Sequence, residues 1–180
     1  MHRFVIAVLP FAIACSSEDP EPVAEIDRAA LLACESDDFV VGRPLTGPGL
    51  DENGFVGEPL ASYVVHTTQI VYHPEKEADF LQQSGAVMAQ LASTEGIVAY
   101  GVALDPTCGD ARTLGVWESE EAMYAFAGSG EHVRAMARTH ELSAAGRVLH
   151  WTASPDEVRA LDWDAVKARL RAEPISPLYP

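Results

Sequence analysis

From Ser62 to Ala153 the chain switches repeatedly between two hydrophobic periods, and the order of those switches restricts the fold more than any other feature. Tyr63 to Tyr72 is dense in β-branched and aromatic residues and reads as a strand. Pro74-Glu75-Lys76-Glu77 opens a helix, with proline and carboxylates at the end where the helix dipole favours them. Ala78, Leu81, Gly85, Met88 and Leu91 then recur at three- and four-residue steps, which gives the helix one stripe to turn toward a sheet. Gly85 costs about 1 kcal/mol against Ala in a helix interior, and close approach of the helix to the sheet is its expected justification. Ile97 to Leu104 and Arg112 to Trp117 read as two further strands joined by a long hairpin loop. Ser119 is a plausible N-cap for a second helix with Ala122, Met123 and Phe126 inward. Gly128-Ser129-Gly130 interrupts, another helical stretch runs from about Glu131 to His140, and Arg147 to Ala153 is the fourth strand.

The order is therefore β-α-β-β-α-β, the α+β arrangement called ferredoxin-like: a four-stranded antiparallel sheet with both helices on one face. The opposite face also carries apolar residues and needs a cover. A second subunit's sheet would supply one, so a homodimer is expected. Flanking the 62–153 domain are an N-terminal segment, 23–61, and a C-terminal one, 154–180. Val23 to Cys34 has helical spacing, whereas Glu35 to Pro59 is rich in Gly, Pro and Asp and is expected to wrap the domain as an irregular arm. Ser154-Pro155-Asp156-Glu157 is a strong helix start leading to a helix or helix pair that ends before Pro174.

The first fourteen residues look like a leader. Arg3 supplies a basic start, and Phe4 to Ala14 is an apolar stretch of signal-peptide length, too short to span a bilayer. Ala12-Ile13-Ala14-Cys15 resembles a bacterial lipobox, although Ala12 stands where Leu is usual. That resemblance implies lipidation of Cys15, a polar tether over 15–22, and residence in the cell envelope at the periplasmic face of the outer membrane. An ordinary secretory leader cut near Ala14 is the alternative. Arg3 is the only charged side chain in 1–14, so its removal takes the net charge from −15 to −16. Such an acidic chain is a poor match for nucleic acid or for anionic lipid; acyl chains, not charge, would hold it to a membrane. With Cys15 lipidated, Cys34 and Cys108 are the remaining thiols, and an oxidising compartment lets them pair. A bridge closing a loop of ~75 residues contributes roughly 4 kcal/mol on the chain-entropy account. The alternative is two unpaired thiols.

Leu114-Gly-Val-Trp117-Glu-Ser-Glu-Glu-Ala122, then Ala125-Phe126 and Ser129-Gly130-Glu131-His132, resemble the second half of the antibiotic-biosynthesis-monooxygenase-like family, among the dimeric α+β barrels. His132 stands fifteen positions after Trp117, as a histidine does in an uncharacterised branch of that family. Leu149-His150-Trp151 and Trp163 resemble the branch's fourth strand and C-terminal helix. The resemblance implies a ligand cavity between helices and sheet, and oxidation of aromatic substrates with dioxygen and no cofactor, or haem degradation. Haem-degrading members use a helix Trp and a His ten residues on; those positions fall here on Phe126 and Met136, and Tyr63 to Tyr72 lacks their Asn, which argues against haem.

His132 is the candidate for chemistry, since imidazole titrates near neutrality and can act as acid, base or donor to a carbonyl. Its alternative is a helix-start histidine hydrogen-bonded to backbone beside Gly130. Trp117, Phe126, Met136, Tyr100, His66 and Trp151 are the candidates for lining a pocket for a small apolar molecule; tryptophans such as Trp117 and Trp151 are more often core residues than ligand platforms. No metal site is expected. His132 and His140 lie about 12 Å apart along a helix, and His140-Glu141 lacks a second His four positions on. No glycine-rich phosphate loop or Gly-x-Ser-x-Gly elbow occurs. The sequence thus implies either an enzyme of the monooxygenase type without cofactor or a non-catalytic binding lipoprotein.

Overall fold

A computed structural model describes residues 26–175; Cys15, the leader and the tether lie outside the described residues. The elements in chain order are α1 (Arg28–Ala33), β1 (Val40–Thr46), the short hairpin β2 (Leu50–Asp51) and β3 (Gly54–Phe55), and β4 (Tyr63–Tyr72). A 3-10 turn at Pro74–Lys76 leads into α2 (Glu77–Leu91), followed by β5 (Ile97–Asp105) and β6 (Asp110–Trp117). Then come α3 (Glu120–Ala127), α4 (Gly130–Ala137), α5 (Thr139–Leu142), β7 (Ser143–Ala153), α6 (Pro155–Arg159) and α7 (Trp163–Ala172).

The main sheet runs β1-β5-β6-β4-β7, with every neighbouring pair antiparallel. Its last four strands follow the ferredoxin-like order, and β1 adds a fifth beside β5. That strand comes from the stretch expected to be irregular. Gly42 and Pro44 hid it, yet proline is tolerated on an edge strand, where one side of the ladder needs no N–H donor. Helix starts follow the local chemistry: Ser119 Oγ accepts from the Ala122 amide, and Ser154 with Glu157 closes a reciprocal capping box ahead of α6.

Side chains alternate across the inner strand β4, and the two faces meet different covers. Val64, His66, Thr68 and Ile70 turn toward α2–α5, whereas Tyr63 and Val65 turn the other way. On that second side Val65, Val98, Leu114 and Val116 pack against Val158 of α6 and Val166 and Leu170 of α7. Thus the face expected to need another subunit's sheet is covered within the chain. Three apolar side chains from the C-terminal helices, each 0–1% exposed, seal it.

The N-terminal segment is fastened to the same side. Cys34 and Cys108 are joined as a disulfide across a separation of 74 residues. Gln69 Nε2 donates both to Leu32 O (3.2 Å) and to Asp110 Oδ2 (3.1 Å), and Asp110 pairs with Arg112 at 2.6 Å. No helix among the described residues is long and apolar enough to cross a membrane.

Candidate functional site

Between the sheet and α2–α5 lie two adjoining hollows of about 290 and 300 Å³. They share Thr68, Val87, Met88, Thr113, His132 and Met136, so the ring of residue 132 borders both. The first extends toward Phe80, Leu104 and Leu142; the second toward His66, Trp117, Phe126 and His150. Their size and largely carbon lining are those of a small-molecule site. Gly85 does not mark close approach of helix to sheet: a Cβ there meets nothing within 4 Å, and the residue borders the first hollow. The missing side chain leaves space.

His132 owes its position to the break between α3 and α4. Gly130 takes φ +54°, a left-handed conformation that favours glycine, and a Cβ there would lie 2.6 Å from Gln90 Oε1. That oxygen accepts from the backbone amides of Glu131 (2.5 Å) and His132 (3.1 Å), satisfying the first donors of α4 from a neighbouring helix. The His132 ring follows, with Nδ1 3.0 Å from Ala127 O. A carbonyl can only accept, so the neutral ring carries its proton on Nδ1 and leaves the Nε2 lone pair free. Both readings of this histidine meet here: it is bonded to backbone, and it walls the cavity. Burial pushes its pKa below the usual histidine value, opposed by the Ala127 bond.

His66 is set by strand register. It pairs with Gly115 on β6 and with His150 on β7. Trp117 Nε1 donates to His66 Nδ1 at 2.7 Å. Burial, reinforced by the proximity of His132 and His150, pushes the His66 pKa down to about 4. The two imidazoles are linked by aromatic contacts: His66 to Trp117 at 5.8 Å between ring centres, Trp117 to Phe126 at 5.3 Å, and Phe126 to His132 at 4.9 Å.

Five of the residues singled out from the sequence therefore come together at the hollows: His66, Trp117, Phe126, His132 and Met136. Two do not. Tyr100 is buried beneath the Arg43 guanidinium, 4.0 Å from its ring centre, and lines neither hollow. Trp151 pairs with Val65, so alternation turns it to the opposite face, where Arg169 lies 4.6 Å over its ring. Its neighbour His150 takes the cavity side, beside Tyr124 at 3.4 Å, and these two were missed. Register was the signal that could have found His150, because it pairs directly with His66. Thr68 and Thr113, whose hydroxyls lie 2.5 Å apart, were missed as well. Among the described residues, no group of three or more His, Cys, Asp or Glu side chains is placed to hold a metal ion.

The sequence profile of the family described as Antibiotic biosynthesis monooxygenase matches residues 63–138, the segment that supplies most of the walls of both hollows. A search of curated proteins finds no match. Among solved structures, FN1347 of Fusobacterium nucleatum superposes with a TM-score of 0.52 at 10% identity, over 63% of this chain and 52% of its own. This chain thus spans about half the length of that protein. Rv0793 of Mycobacterium tuberculosis matches at 17% identity and TM-score 0.46, over 56% of this chain and 96% of its own. SnoaB, a cofactor-independent oxygenase from Streptomyces nogalater, matches at 16% identity and TM-score 0.44, over 51% and 92%. At these identities the likeness concerns the fold alone. Residues 63–138, the cavity-forming segment, are thus similar in sequence to the antibiotic biosynthesis monooxygenase family, and the fold is ferredoxin-like.

Proposed function

We propose that this is an exported, lipid-anchored protein that binds a small apolar or aromatic molecule between its helices and sheet and oxygenates it without a cofactor. The observation that carries the reading is the pair of carbon-lined hollows with His132 on the wall of each. The Nε2 lone pair is the free base of the site. Taking the proton of a phenolic hydroxyl there leaves an electron-rich ring for dioxygen, one atom of which enters the product as a carbonyl oxygen while the other leaves as water. Burial of the imidazole favours its uncharged, proton-accepting form.

Oxygen uptake by the purified protein with quinols and phenols tests this, alongside thermal shift with the same compounds and haem. Turnover that falls at least a hundredfold in His132→Ala, with the fold intact, is the expected result. Stabilisation by ligands without oxygen uptake establishes the second reading, a non-catalytic binder. The Ala127 bond favours that reading, because it gives His132 a purely architectural use.

Anchoring through Cys15 at the periplasmic face of the outer membrane is part of the proposal. Its check is labelling of the protein with an alkyne fatty acid, lost in Cys15→Ala. Proteins of this family are typically dimeric, with which a homodimer is consistent. Since α6 and α7 occupy the second sheet face, pairing would use another surface, and sedimentation equilibrium decides the state.

A further inference from the structure

The second hollow contains two imidazoles whose proton positions are fixed in opposite senses. His132 donates from Nδ1 to a carbonyl and so offers an acceptor at Nε2. His66 accepts at Nδ1 from an indole N–H, which has no other role than donor, so the neutral ring must carry its proton on Nε2. We propose that His66 is a specificity-determining residue of this site: locked by Trp117 as a permanent Nε2–H donor, it selects uncharged ligands bearing a carbonyl oxygen. The assignment rests on the hollow being the binding site argued above, and it concerns which ligands enter, not the oxygenation step.

Three further features support it. Gly115 lies directly across from His66, and a Cβ there would stand 2.2 Å from the ring Cε1 and 2.5 Å from Nδ1. Glycine at 115 is therefore what lets the imidazole lie across β6 and reach the indole. Trp117 is fully buried, held by Phe126 and the core under α2 and α3, so the donor that sets the tautomer cannot swing away. Finally, the ring stays uncharged across the neutral range, because burial beside His132 and His150 disfavours imidazolium. A positively charged ligand would find no carboxylate lining this hollow, whereas a neutral carbonyl finds the His66 Nε2–H in a wall that is mostly carbon.

The test uses a probe pair differing by one oxygen, 1-tetralone and tetralin, with the full mature chain. Two-bond ¹H–¹⁵N spectra of the unliganded wild type should show His66 protonated on Nε2 and His132 on Nδ1. Wild type should prefer the ketone to the hydrocarbon by about tenfold, the worth of one hydrogen bond made in a site built for it. His66→Phe should abolish that preference and leave tetralin affinity within about twofold. Trp117→Phe, where it folds, should give a mixed His66 tautomer. An Nδ1–H signal for His66 in the wild type, or an unchanged ketone preference in His66→Phe, overturns the assignment while leaving the binding site intact. Failure of both probes to bind wild type overturns the binding-site reading itself, and the assignment with it.

Discussion

The two faces of one sheet are used in opposite ways. Toward α6, α7 and α1 the face is sealed: Val65, Val116 and Val166 have no exposure, and even the charged pair Asp110–Arg112 is buried. Toward α2–α5 the same strands leave two hollows of about 300 Å³ each. His66, Thr68, Thr113 and His132 are half-buried there, and Gly85 stands where a larger residue would fit. Interiors normally pack as densely as organic crystals. One face meets that standard and the other departs from it, so the departure marks the candidate site, while the packed face supplies the stability that an open site gives up.

Breaking the sealed side should cost most. Reduction of Cys34–Cys108 frees the N-terminal segment and is expected to lower stability by roughly 4 kcal/mol, read as the shift in urea midpoint with and without reductant. Leu170→Ala, 1% exposed against the sheet, should cost about 3 kcal/mol. Met136→Ala on the hollow should cost only about 1 kcal/mol, since it enlarges a space already present. Equal losses at the two positions in chemical denaturation would erase the contrast between the faces.

Acidification should probe the open side. The folded His66 pKa lies at about 4, below the ordinary value of 6.5, so between these the unfolded chain binds more protons than the folded one. Its contribution is fully present above pH 6.5 and is lost as the pH falls toward 4, by at most about 3 kcal/mol. His132 is shifted in the same direction. Urea midpoints at pH 7.5 and 4.5 should therefore differ less in His66→Phe than in wild type. The smallest effect is expected at Gly85: alanine there should raise stability by up to about 1 kcal/mol in a thermal melt, because the helix gains propensity and the new methyl meets nothing. The same change should weaken ligands in the first hollow.

Local chemistry made much of this legible. β4 runs from Tyr63 to Tyr72 as its density of β-branched and aromatic residues indicated, and Ser119, Gly130 and Ser154 punctuate the helices where their backbone preferences place them. Trp151 shows where such reading stops. A period of two says that His150 and Trp151 face opposite ways; it does not say which of them meets the cavity. Tyr100 likewise faces the helix side but is taken up by Arg43, a partner 57 positions away that no spacing rule points to.

By itself the sequence determined the order of elements, the ferredoxin-like class, and the succession of strand end, helix and glycine break that carries Trp117, Phe126 and His132. These follow from periodicities and caps that act over a few residues. Tertiary structure alone decided that β1 joins the sheet, that α6 and α7 close its second face, and that His66 accepts a hydrogen bond from the indole N–H of Trp117. Those outcomes depend on which surfaces meet across distances of tens of residues, and that choice is settled by competition among packings, each worth a few kcal/mol, not by any local pattern.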